Sequence, residues 1–96
     1  MYIIIVTHTE ESKVVELYFK SHCEWLHKHI ELGNFLASGP KKDMKGGVIL
    51  ACSMQKKMLH EIIEEDSYAK ANIADYLIVD IDFKLVGKGL DKLINA

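Results

Sequence analysis

His22 is the residue in this chain whose type and setting best suit proton transfer. Tyr18, Trp25 and Leu26, three and four positions away, place it inside the apolar stripe of a helix rather than on its wet face. An imidazole there, with one ring nitrogen held by a carboxylate, can accept or donate a proton at the other. The same pattern also suits a core histidine satisfied by a backbone carbonyl. Asp66, followed by Ser67-Tyr68 at a predicted helix end, has two readings as well: a cap of the next turn, or a carboxylate partner for a functional group. Glu61, Glu64 and Glu65 read as a solvated helix face.

Other chemistries fit less well. His22, His27, His29 and His60 raise the question of a metal, but His22 and His29 lie seven positions apart, about 10 Å along a helix, and His27 points elsewhere. Without H-E-x-x-H or a cysteine pair, the expectation is no metal. Cys23 projects about 100° around the helix from His22, a poor geometry for a thiol nucleophile and its base. Both Cys23 and Cys52 read as small apolar fillers and free thiols of a reducing compartment, which points to the cytoplasm. Gly87-Lys88-Gly89 lacks the rest of any phosphate-loop signature and reads as a turn.

The whole chain sets further bounds. Ninety-six residues, 49% apolar and 27% charged with a single proline, suit one globular domain over 1–96. A formal charge of −2 with interspersed signs offers no basic face for phosphates, so nucleic acid is not expected as a partner. The apolar opening Met1 to Thr7 is too short to span a bilayer and lacks an export leader's features, so no membrane association is expected.

The elements that must position His22 and Asp66 follow from periodicity. Tyr2-Ile3-Ile4-Ile5-Val6, ending at Thr7-His8-Thr9, predicts a buried strand. Glu10 to Leu32 predicts a long amphipathic helix, with Thr9 or Ser12 as cap and Gly33 as terminator. Asn34 to Pro40 and Val48 to Cys52, joined by the polar loop Lys41 to Lys45 and by Gly46-Gly47, predict a hairpin. Ser53 then caps a second helix whose stripe is Met58, Leu59, Ile62 and Ile63, and Ser67 to Asn72 has room for a further turn. Ala74 to Leu85 alternates as a final strand, with Leu77, Val79, Ile81, Phe83 and Leu85 on one face and Tyr76, Ile78, Asp80, Asp82 and Lys84 on the other. The tail from 87 to 96 has the pattern of a short helix.

The order β-α-β-β-α-β is that of the ferredoxin-like α+β fold, a four-stranded antiparallel sheet with two helices on one face. Two helices cover one face only. Strand one is apolar on both sides and Val48, Ile49 and Leu50 leave little polar surface, so a homodimer packed through the sheet faces is expected.

His22, Leu26, Ile30 and Gly33, followed by Leu36 and Gly39-Pro40 and later by Asp66-Ser67-Tyr68, resemble the motifs of the YciI-like (YCII-related) family. The resemblance implies a dimeric α+β barrel with a His-Asp pair in a pocket beside the sheet. It is related in fold to muconolactone isomerases and small monooxygenases, and one group of relatives eliminates chloride from a chlorinated hydroxyquinone. The family histidine falls on His22 and the aspartate on Asp66, with Ser38, Gly39 and Tyr68 as pocket lining. Ser67 stands where the family has proline, a change that loosens the turn carrying Asp66.

The expected function is cofactor-independent proton abstraction or elimination on a small, partly apolar molecule, with His22 as base or acid and Asp66 as its orienting partner. A non-catalytic ligand-binding domain of the same fold is the alternative. A heme-free monooxygenase of the same barrel type is a third reading.

Overall fold

β1 (Tyr2–His8) leads into α1 (Ser12–Glu31), then the hairpin β2 (Phe35–Pro40) and β3 (Gly46–Ala51), α2 (Lys56–Glu64), the single turn α3 (Ser67–Lys70) and β4 (Ala74–Asp80). The computed structural model describes residues 1–96. The strands form one antiparallel sheet ordered β2-β3-β1-β4, the ferredoxin-like arrangement expected from the element order.

β1 carries the register of the sheet. It pairs with β3 through Ile4 opposite Ile49 and with β4 through Ile4 opposite Ile78. Strand alternation then turns Tyr2, Ile4, Val6, Ile49 and Ala51 toward the helices, where they join Trp25, Leu59, Ile62 and Ile63 in one core. Two long-range bonds tie this core together: Trp25 Nε1 of α1 donates to the Ile62 carbonyl of α2 (2.8 Å), and Tyr2 Oη of β1 donates to the Met54 carbonyl just before α2 (2.9 Å).

α1 ends as its glycine requires. Gly33 has φ +79°, the Asn34 N–H reaches the His29 carbonyl, and the Gly33 N–H reaches the Ile30 carbonyl, which together form a Schellman cap. The chain therefore turns directly into β2, whose bulge between Phe35 and Ala37 resets the register.

Four boundaries differ from the sequence expectations. Neither Thr9 nor Ser12 caps α1: the Thr9 N–H is bound to the Ile73 carbonyl, and the helix starts at Ser12 behind Glu11 without a side-chain cap. Ser53 does not cap α2, because its N–H donates to the Ala96 carbonyl and its hydroxyl accepts from the Met1 amine, so the helix begins at Lys56. The last strand stops at Asp80 rather than Leu85: Asp80 lies opposite Tyr2, the first residue of β1, and only Ile81 beyond it still exchanges backbone bonds, with Met1. The tail forms a tighter 3₁₀ helix over Asp91–Asn95.

Glu65 also departs from a purely solvated role. It accepts from His29 Nε2 (2.8 Å) and Lys28 Nζ (2.9 Å), which holds its carboxyl below the usual carboxylate range, while Asn34 Nδ2 bonds His29 Nδ1. This cluster latches the end of α1 to the end of α2.

Gly46 is the tightest point of the sheet. A Cβ there would lie 1.8 Å from the Val6 carbonyl oxygen, and its φ of +145° is closed to other residues. Gly46→Ala is expected to destabilise the protein by about 2 kcal/mol or more in chemical denaturation; unchanged stability would contradict the β1–β3 register.

Candidate active site

A cavity of about 660 Å³, within the usual range for small-molecule sites, opens between α1 and the helix-facing side of the sheet. Val6, Val15, Phe19, Leu26, Ile30 and Ile49 give it an apolar wall, and Gly46 and Gly47 leave its floor open for want of side chains. Its polar side chains include those of His22, His8, Ser38 and Tyr68.

Asp66 sits behind this wall, fully buried. Oδ1 accepts from His22 Nδ1 (2.8 Å) and from the Tyr68 N–H (3.2 Å), and Oδ2 accepts from Tyr76 Oη (2.6 Å). The same oxygen thus caps α3 and meets the imidazole. Because a carboxylate only accepts, Nδ1 carries the hydrogen, and Nε2 becomes the nitrogen available to a molecule in the cavity. The His22 side chain is 13% exposed, and its ring lies parallel to Tyr68 with centroids 4.0 Å apart and planes at 6°. Carboxylate and stacked phenol together leave the imidazole one orientation.

The turn that carries Asp66 is held without proline. Ser67 Oγ donates to the Tyr18 carbonyl (3.1 Å), tying α3 to α1. The expected loosening is thus offset by a tertiary bond, and Asp66 lies within direct hydrogen-bond reach of His22.

Of the residues singled out from sequence, His22, Ser38, Gly39 and Tyr68 line the cavity and Asp66 supports it from behind. His27, read as pointing away, also borders the cavity, which runs along α1. Cys23 borders it too, and burial pushes its thiol up, away from a reactive thiolate. His22, His27, His29 and His60 do not converge, and no three His, Cys, Asp or Glu side chains come close enough to hold a metal ion. Two residues of the site carry no functional mark in the sequence pattern. Alternation puts Tyr76 on a strand face and no more; His8 ends a strand, and period-two alternation sets it on the same face as Ile4 and Val6.

Fold and pocket together define a ferredoxin-like α+β protein with a histidine-carboxylate pair at a cavity beside the sheet. The YCII-related domain model matches residues 1–82, and the chain belongs to that family. No curated protein matches the sequence significantly. Among solved structures, it is similar to 5-chloro-2-hydroxyhydroquinone dehydrochlorinase from Burkholderia phenoliruptrix AC1100, in complex with 2,5-dihydroxybenzoquinone. The TM-score is 0.71 at 17% identity, covering 88% of this chain and 96% of that one, a similarity of fold.

The two tyrosines beside Asp66 should titrate late. Burial, then the Asp66 charge, pushes Tyr68 up to about 12; burial and the hydrogen bond to Asp66 push Tyr76 higher still. Both raised values favour the protonated phenol, so their stabilising effect is complete below the ordinary tyrosine value and disappears as pH rises through the folded ones. At about pH 11, roughly one unit above the ordinary value, Tyr76→Phe is expected to leave the near-ultraviolet phenolate absorbance of the folded protein unchanged. A drop in that absorbance would show that Tyr76 ionises normally.

Proposed function

We propose that this YCII-related protein is an enzyme that performs acid/base chemistry on a small, partly apolar molecule without a cofactor, by proton abstraction or elimination. The observation that carries the reading is the 2.8 Å bond from His22 Nδ1 to a fully buried Asp66, which leaves Nε2 beside an apolar cavity. In this scheme Nε2 of the neutral imidazole takes a proton from the bound molecule, and Asp66 stabilises the imidazolium that results. Tyr68, stacked on the ring, faces that cation with its π system. In an elimination, the electron pair released by proton loss forms the new double bond as the leaving group departs with its own pair. Ser38 and Gly39 on β2 border the opposite wall, where Ser38 can hydrogen-bond a polar atom of the substrate. The dehydrochlorinase of similar fold, solved with a dihydroxyquinone, supports a cyclic hydroxy compound as the substrate class.

The NMR signal of the His22 Nδ1 hydrogen tests the pair directly. Donation to a buried carboxylate should place that signal far downfield, and Asp66→Asn is expected to move it upfield by weakening a charge-assisted bond to a neutral one; an unmoved signal sinks the dyad. Once a substrate is in hand, His22→Gln should lose about 10²–10⁴-fold in rate while retaining binding. Equal rates would move the protein to the ligand-binding class.

We also propose a homodimer packed through the outer sheet face, formed by a single-domain protein of the cytoplasm. Ile3, Ile5, Val48, Leu50, Leu77 and Val79 share that face, with Leu77 60% and Val79 40% exposed. No helix is long and apolar enough to cross a membrane, and both cysteines are free, as a reducing compartment would keep them. Leu77→Lys is expected to convert a dimer to monomers in sedimentation velocity, and a monomeric parent protein would refute the assignment.

A further inference from the structure

His8 is a polar residue of the cavity that the proposed chemistry leaves without a task. It ends β1, half-buried, on the same sheet face as Ile4 and Val6. Its ring meets Tyr68 edge-on, with centroids 5.4 Å apart and planes at 87°, while His22 stacks on the same phenol. Tyr68 thus touches two imidazoles that border one cavity. They differ in their free valences. His22 has Nδ1 committed to Asp66, whereas His8 uses neither ring nitrogen within the chain; its backbone N–H makes the bond to Lys45.

We propose that His8 is a second ligand-contacting residue, which makes the cavity selective for a ring molecule carrying two oxygen functions, one for His22 and one for His8. The assignment rests on reading His22 as the acid/base group of the cavity. Between the two imidazoles the walls are largely apolar, so a ligand with one polar end would leave one imidazole desolvated and unpaired. The charged and titratable groups around His8 come from several elements: His22 and Glu16 on α1, Tyr68 on α3, and Lys41 and Asp43 at the β2–β3 connection. Burial, then the His22 and Lys41 charges, hold His8 below the usual histidine value against the opposing effect of Asp43. A neutral imidazole offers one donor and one acceptor, the pair that matches a hydroxyl or an enol oxygen.

The test uses two probes that differ by one hydroxyl and carry no other polar group, hydroquinone and phenol, with binding followed by the NMR signals of both histidine rings. The wild-type protein should prefer hydroquinone by about tenfold, the effect of one satisfied hydrogen bond. His8→Phe, which keeps an aromatic edge against Tyr68, should abolish the preference, and His8→Gln should restore most of it. In all three proteins the free-state His22 signals should remain in place, showing an intact fold. No preference in the wild type, an undiminished preference in His8→Phe, or failure of both probes to bind overturns the inference. If the probes shift the His22 signals and leave those of His8 unmoved, the second contact fails and the acid/base reading stands. If His22 is the ring that stays unmoved, the acid/base reading fails with it.

Discussion

A carboxylate sealed from water has to be met by donors, and Asp66 meets three: His22 from α1, the Tyr68 N–H of α3 and the Tyr76 hydroxyl of β4. That requirement draws together elements far apart in sequence. Removing any donor leaves buried oxygen lone pairs unpaired, so helix, turn and strand are coupled through one side chain. The site depends on this coupling. His22 is oriented because Asp66 cannot turn away, and Asp66 cannot turn away because β4 holds its other oxygen.

The sheet supports the same constraint from beneath. β1 is central, paired on both sides, and its register sets His8 and Val6 in the cavity and Tyr76 beside Asp66. The close approach at Gly46 keeps β3 against β1 and leaves the cavity floor without side chains. α1 contributes a wall because its stripe is longer than the core it covers. Val15 and Trp25 are buried, while Phe19 and Ile30 remain partly exposed along the opening.

Much of this was legible in the residues alone. The β-branched run of β1, the three-and-four spacing of α1 and the breakers around β2 and β3 encode element type locally, so the topology could be read in order. His22 and Asp66 could be paired through family motifs, since helical periodicity by itself leaves a core histidine equally reasonable. Boundaries set by distant partners were not legible. Ser53 has the chemistry of a cap but is used by the chain termini, and Phe83 continues the alternation of β4 beyond the point where β1 ends. His8 and Tyr76 were hidden for a related reason. Strand parity tells which face a residue occupies, and only packing tells that this face borders a cavity.

Ser67 gives the site a particular dependence. A proline at that position would restrict the backbone in every state of the chain, including the unfolded one. The serine hydroxyl instead acts through the Tyr18 carbonyl, a restraint that exists only while α1 is docked. Placement of the carboxylate is therefore a product of the completed fold and not a local property of the turn. Any fluctuation that lifts α1 from α3 releases the histidine and the anchor of its partner in the same event, so the pair is assembled or dismantled as a unit.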